Sequence, residues 1–553
     1  MALNMPRPRR NRPSPSSLLP SRPVVLGLAG LLAAAGSSGG AHAQGHSATL
    51  HTAPQFAALP QTRSNPTKAQ APQSIHTGDW GIFNRLDGSP AGFGPVARYG
   101  VARWAEDWSA LRNPKLRSDP FDPLKFIPLN DSKSIYLTLS GESRLKNWFE
   151  NRPFLGTQKP DDSGRMTVRN IVGADLHIGE HLRIYGELIN GEAAGWNGYG
   201  YNTTYRTRLD TQQLFVEAKA TLLGAKTGVI VGRQQFLDAP NYVLYARETP
   251  NIPLSWNGVR GYAVFPRIRF DAYDFTLTNT AQQQLFRDNE NYNSRLFGGN
   301  TSYALPDFKV LGQPGRVFVD LFYIGYLLGG TPAAIATATG TQAGSTLRNN
   351  YGTRIWGKAG PIEFSVGGIY QGGEFRAAKT NVSRDVSAFS INSFLGYRFQ
   401  SIYGRPLVGI QSDVYSGGSY NRKTGDVHTY SAPYNPSTNY LDTTTYFAPS
   451  NLVSIAPSIE YTPSQSTLLR FKVPVLWREN TDDAVYGASR IYSFRSKLAG
   501  GFIGTVPQAS LGWRITRHLT WTHDLARYFA SHAMQKAGAS SGTYYLSTLA
   551  FRF

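Results

Sequence analysis

No cysteine occurs among the 553 residues, so neither disulfides nor thiolate metal sites can hold this chain together. Methionine is almost missing as well. No stretch offers the roughly 20 consecutive apolar residues that a membrane-spanning helix requires. Acids are scarce relative to bases, 36 against 56, which leaves a formal charge of +20. Motifs for nucleophilic hydrolysis, zinc hydrolysis and phosphate binding are absent where their structural context would require them. His518, His523 and His532 lie close in sequence, but 518 and 523 have opposite strand parity and would fall on different faces. The sequence predicts no enzyme and no cofactor.

What is present begins with a basic leader. Arg7, Arg9, Arg10, Arg12 and Arg22 precede the apolar run Val24 to Ala35, and Ala41-His42-Ala43 has the small-x-small form of a cleavage site. That order predicts a secretory signal peptide over 1–43. Removing its five arginines, with no acid among them, lowers the charge from +20 to +15. Such an excess suits nucleic acid, anionic lipid or anionic solute, and export excludes the first. Residues 44–79 are rich in Ala, Pro, Gln, Ser and Thr without periodicity, which predicts a disordered linker. Residues 80–133 read as an irregular periplasmic lead-in, with a short helix over Arg98–Leu111 that plugs or braces the barrel mouth.

From 134 to 553 the pattern changes to alternating runs separated by Gly, Asn, Pro and Asp. Ile135, Leu137 and Leu139 oppose Tyr136, Thr138 and Ser140, continued by Glu142, Arg144 and Lys146. Leu469, Phe471, Val473, Val475 and Trp477 oppose Arg470, Lys472 and Arg478, while Phe389, Ile391, Leu395, Tyr397 and Phe399 oppose Asn392 and Arg398. A period of two sends these sets to opposite faces of a sheet. Hydrocarbon cannot solvate charge, so in a lipid-embedded barrel the apolar face points outward and the cations line the lumen. The fold class is therefore an all-β transmembrane antiparallel barrel of about eighteen strands, wide enough for an aqueous channel. The longest interruptions are Gly195–Thr211, Leu237–Trp256, Gly329–Leu347, Ser416–Asn451 and Glu479–Gly501, and the fourth is long enough to fold into the pore. Trp477, Trp513, Trp521 and Tyr528 read as interfacial girdle residues. The last run carries Tyr545, Leu549, Phe551 and Phe553 on one face and Thr548, Ala550 and Arg552 on the other. A terminal Phe on such a strand is similar to the signal that outer-membrane barrels present to the barrel-assembly machinery.

Several segments then resemble the alginate export family of outer-membrane porins. They are Glu106-Asp-Trp-Ser-Ala-Leu111, Asp122-Pro-Leu-Lys-Phe-Ile-Pro-Leu129, Leu139-Ser-Gly-Glu-Ser-Arg144 and Gly232-Arg-Gln-Gln235. Trp256-Asn-Gly-Val-Arg260, Ser416-Gly-Gly, Tyr440, Pro449-Ser-Asn-Leu452 and Trp477-Arg-Glu-Asn-Thr-Asp-Asp-Ala-Val-Tyr486 follow in the family's order. The family more often has Phe-Asp-Gly where Trp256-Asn-Gly stands. The resemblance implies a monomeric eighteen-stranded barrel with a basic lumen, which in the namesake passes a polyuronate outward.

A channel for a polycarboxylate needs fixed cations, and arginine suits it because its planar fork pairs with carboxylate. The candidate lumen residues are Arg144, Lys146, Arg233, Arg260, Arg354, Arg398, Arg470, Lys472 and Arg478, with Glu142, Glu187 and Asp482 as supporting acids. Glu217 and Asp271 belong to the same set of acids. Each cation can instead brace the wall through an acid, and Asp482 and Asp483 can be a solvated turn or a cation site. The expected function is passive, selective diffusion of anionic solutes such as an acidic polysaccharide. A general uptake porin and a non-conducting adhesive barrel remain open. Expected partners are outer-membrane lipids, the assembly machinery and an acidic solute, with no nucleic acid and no metal.

Overall fold

A computed structural model describes residues 99–553 except 101, 197–200, 338–339, 420–424, 433, 435–439, 488–489 and 493–497. The expected leader 1–43, the linker 44–79 and the beginning of the lead-in lie outside the described residues.

The first half of the sheet comprises β1 Ile135–Asn151, β2 Asp162–Ile178, β3 Leu182–Trp196, β4 Thr207–Leu222, β5 Ala225–Gln234, β6 Trp256–Val264, β7 Ile268–Asn279, β8 Asn289–Ala304 and β9 Gln313–Thr337. The second comprises β10 Gly340–Ala359, β11 Ile362–Ala377, β12 Ser383–Arg398, β13 Leu407–Tyr415 and β14 Leu452–Ser464. It ends with β15 (Thr467–Lys472 and Val475–Trp477), β16 (Phe502–Thr505 and Gln508–Arg514), β17 Leu519–Ala530 and β18 Gly542–Arg552. Sequential strands pair antiparallel, and β18 returns to β1 from Glu142↔Arg552 to Asn151↔Thr543, closing an 18-stranded barrel. Closure leaves no edge, so every strand finds its hydrogen bonds without water.

Alternation sets the faces as the sequence implies. Ile391 and Leu395 are 50% and 57% exposed on the outside, whereas Asn392 between them is 1% exposed. Phe471 points outward and Lys472 inward on the same principle. β15 and β16 each break at a proline, Pro474 and Pro507, because proline has no N–H for the ladder. The carbonyls still accept: Val506 N donates to Pro474 O at 2.8 Å and Arg527 N to Pro507 O at 3.0 Å.

Three expectations need correction. Gly329–Leu347 is no loop: β9 and β10 run on to Thr337 and from Gly340 as one tall hairpin. Its Ala, Thr and Gly composition lacks apolar alternation, the cue by which strands were read. Tyr528 is buried and faces inward, its hydroxyl donating to Ile503 O at 3.1 Å, so it is no girdle residue. Trp477, Trp513 and Trp521 do lie on the outward parity. Finally, the lead-in forms separate 3-10 turns at Arg103–Ala105, Ser109–Arg112 and Pro114–Leu116 rather than one helix. Asp107 and Asn113 accept from the backbone N–H groups of Ser109 and Lys115, a local alternative to continued helix.

The lead-in braces the barrel where the turns are short. Trp108, Leu111 and Phe126 pack on Tyr136 of β1. Asp119 receives His518 Nε2 at 3.0 Å, and the Phe121 ring stacks 5.2 Å from Phe553. The Phe553 ring covers Gly141, where any Cβ would overlap it. These contacts sit directly on the β1–β18 closure.

Candidate functional site

Two long connections fold inward. The first, residues 235–255 between β5 and β6, crosses the lumen. Its Asp238 meets Arg269 of β7 at 2.7 Å, and its Glu248 meets Arg144 of β1 at 2.7 Å. The second, 416–451 between β13 and β14, also enters the lumen: Tyr430, Tyr440, Leu441, Tyr446 and Phe447 are buried. Tyr245 N donates to Tyr434 O at 3.1 Å, and the Tyr242 and Tyr440 rings lie 5.6 Å apart, so the two loops touch. Burial of the backbone polar groups of such loops demands partners, and wall side chains supply them.

Against β1 and β2 lies a buried charge cluster. Arg144 donates to Glu248 and, at 3.1 Å, to Asn251 O. Lys146 Nζ donates to Glu248 O at 2.9 Å and Thr249 Oγ1 at 3.0 Å. Arg169 bridges Glu142 and Glu248, and Arg552 reaches Glu142 at 2.7 Å. Arg103 of the lead-in joins Glu187 at 3.0 Å, while Tyr185 donates to the same carboxylate at 2.7 Å. Glu142 and Glu187 of the wall thus each hold arginine in place. Glu248 and Arg169, which knit the loop to the wall, were not among the candidates.

The β5–β8 sector divides the expected residues. Arg260 points inward, pairing with Asp238 at 3.2 Å and with Asp271. Arg233 does not line the lumen. It shares the outward parity of Val229 and Val231, and donates to Asn257 Oδ1 at 3.0 Å and Thr211 O at 2.9 Å. The inward places on that strand belong to Ile230 and Gln234. Below this sector, a cavity of about 480 Å³ at the short-turn mouth is lined by Glu106, Arg183, Glu217 and Arg260, among others. Burial pushes the Glu106 carboxyl above its usual range despite Lys125 and the Trp108 indole.

The β9–β15 sector carries a charge ladder near the short turns. Arg354 holds Asp320 and lies over the Trp356 ring at 4.7 Å. Lys358 meets Glu363 at 3.0 Å, Arg398 meets Glu363 at 2.6 Å and Glu460 at 3.2 Å, and Arg470 meets Glu460 at 2.9 Å. Here the side chains keep some contact with solvent: Arg398 is 11%, Arg470 16% and Glu460 22% exposed. Three cations share two carboxylates.

The remaining candidates hold loops. Lys472 Nζ donates to Gln411 Oε1 at 2.8 Å and to the carbonyls of Tyr440 and Leu441 at 3.0 Å each. Tyr440 in turn donates to Asp413 at 2.6 Å. Arg478 caps the carbonyls of Thr481, Asp483, Leu498 and Gly500 in the 478–501 loop. Asp482 is exposed on that loop. Its neighbour Asp483 is the buried acid, accepting from Gly418 N, Thr429 Oγ1 and Tyr486 OH at 2.5–2.7 Å. Those bonds give Asp483 a structural role in tying two loops together.

A closed eighteen-stranded barrel with inward loops and a charged lumen is thus the frame in which relatives are compared. The family model for alginate export matches residues 135–547. The chain belongs to the alginate export family. Its family and fold make it an outer-membrane β-barrel channel. No curated relative matches it. Among solved structures, Acinetobacter baumannii OccAB4 is similar at 10% identity, with 75% of this chain and 98% of that one covered and a TM-score of 0.47. Pseudomonas aeruginosa OccK2 (OpdF) in complex with glucuronate gives 9% identity, 78% and 98% coverage and a TM-score of 0.46. A BenF-like porin from Pseudomonas fluorescens Pf-5 gives 11%, 75%, 99% and 0.44.

Proposed function

We propose that this family member is a passive channel selective for anionic solutes, with acidic saccharides as the favoured class. The observation that carries the reading is the ladder Lys358–Glu363–Arg398–Glu460–Arg470, where three cations share two acids and Arg398 and Arg470 remain partly exposed. A carboxylate entering there can displace a shared acid from one guanidinium without leaving any charge unpaired. Arg354 belongs to the same path. Arg144, Lys146, Arg260 and Lys472 act differently: they brace the inward loops, while Arg478 holds the 478–501 loop. The protein works without catalysis or cofactor. Delivery by a cleaved leader over 1–43, and assembly through the β18 strand ending at Phe553, complete the reading.

The test is planar-bilayer recording of the refolded protein with oligouronate added from either side. Concentration-dependent block, weakened by Arg398→Ala or Arg470→Ala, supports the proposal. Anion-selective current indifferent to oligouronate would instead identify a general anion porin, and a folded barrel without current would refute transport.

A further inference from the structure

The lumen uses only part of the Gly232-Arg-Gln-Gln235 motif, since Arg233 leaves on the outward parity. Its last residue, Gln235, follows β5 and lines the cavity of about 480 Å³ that opens at the short turns. Neighbouring glutamines are engaged: Gln213 Nε2 donates to Glu187 at 3.3 Å, and Gln213 Oε1 accepts from Gln235 N at 2.9 Å. The Gln235 side chain is different, because it is 3% exposed and its amide nitrogen has no partner. A buried donor without an acceptor is costly, so its presence on a cavity wall points to something that enters the cavity.

The lining says what kind of molecule fits. From Lys226 at the mouth to Gln235 the cavity follows β5 through Ile230 and Gln234, a run of roughly 30 Å at strand spacing. A long cavity of this volume suits a short linear chain better than a bulky ligand. Five Lys or Arg side chains line it against four Asp or Glu. Glu217 among those acids is already taken by Arg183 at 2.9 Å, and burial pushes the Glu106 carboxyl up toward its neutral form, so neither repels an anion strongly. The small basic excess favours one negative charge per unit over a compact polyvalent anion. Trp104, Phe215 and Tyr262 add flat apolar faces, and the amides and carboxyls between them can meet hydroxyls. We infer that this cavity is a second saccharide site, which holds a short linear oligomer of acidic sugar between the lead-in and β5, with Gln235 bonding its inner end. The choice of ligand rests on the proposed preference for acidic saccharides; the site itself does not depend on conduction.

The absence of cysteine allows a readout confined to this site. Ala105 lines the cavity from the lead-in, and Ala105→Cys gives the refolded full chain a single thiol there. Its rate of modification by N-ethylmaleimide is followed by mass spectrometry while a three-residue oligouronate is titrated in. Labelling should slow saturably with the uronate, and a neutral trisaccharide or inorganic phosphate should leave it unchanged. Adding Gln235→Leu removes an unpartnered donor, so Tm should not fall, yet half-protection should need about tenfold more uronate. Lys226→Gln, at the exposed mouth, should shift it several-fold and decides the matter should Gln235→Leu not fold. Absence of protection, equal protection by phosphate or the neutral sugar, or protection indifferent to these substitutions would each overturn the proposal. Protection in a barrel whose current the uronate fails to block would refute the selective channel and leave this site standing, whereas block without protection would do the reverse.

Discussion

Two cationic stations inside one barrel behave differently. The cluster at β1–β2 is sealed: Arg169 and Glu142 have no exposure and Glu248 only 4%, and each cation there bonds to an acid or a carbonyl of the inward loop. The ladder at β10–β15 uses the same residue types but stays 11–22% exposed at Arg398, Arg470 and Glu460. The difference arises from what lies over each wall. Residues 235–255 cover the first and bring Glu248 to it, whereas Arg398 and Arg470 pair with Glu363 and Glu460 of the wall itself. A lumenal arginine therefore becomes a strut or a solute contact according to the chain packed over it, not according to its place in the strand alternation.

This contrast can be broken by mutation. Arg169→Ala should be the most damaging change, because it leaves Glu248 and Glu142 buried with fewer cations. Breaking a buried pair typically costs about 3–5 kcal/mol, and thermal unfolding in detergent should show a large loss of Tm with little change in ion selectivity of the surviving folded fraction. Replacing Lys472 with Met should come next. It releases the carbonyls of Tyr440 and Leu441, so single-channel traces should show larger and noisier openings as the 416–451 loop loosens. Unchanged traces would remove that loop as the constriction. Arg398→Ala with Arg470→Ala should cost less stability than Arg169→Ala, because these side chains keep contact with solvent and water can reach the Glu460 they leave, while removing most of the anion preference. If stability fell as far as in Arg169→Ala, the two stations would not differ in kind.

The smallest effect concerns the lead-in. Burial alone would raise the Asp119 carboxyl, but bonds from His518 and the Phe121 N–H outweigh it and hold it below the usual range. A depressed carboxyl stabilises the folded state above its ordinary range and loses that contribution as pH falls through its folded value. Protease protection of residues 103–128 should therefore weaken in the acid limb below about pH 4, and Asp119→Asn should flatten that dependence. An unchanged profile in the variant would show that other groups govern the lead-in.

Much of this was readable from alternation. The strand number, the outward apolar sets and the inward placement of Arg144, Arg398 and Lys472 follow from a period of two against an apolar solvent. Arg233 was misplaced because a short motif gave no parity, whereas counting from Val229 and Val231 would have sent it outward. Arg169 alternates with Thr167 and Ile171, but the opposite face of its strand mixes Met166, Val168, Asn170 and Val172 and gives a weaker apolar signal. Glu248 and Asn251 carry no signal of their own, because a loop that folds into a lumen looks like any loop. The cavity at the short turns was also invisible, because its walls meet only after strands pair and the lead-in packs against them.

The most direct test of the central claim is the reversal potential of single channels under a KCl gradient, for the wild-type protein and for Arg398→Ala/Arg470→Ala. Wild-type channels should prefer chloride, and the double variant should largely lose that preference. A wild-type channel that prefers potassium, or a preference untouched by removing both arginines, would contradict the assignment of the exposed ladder as the selective element.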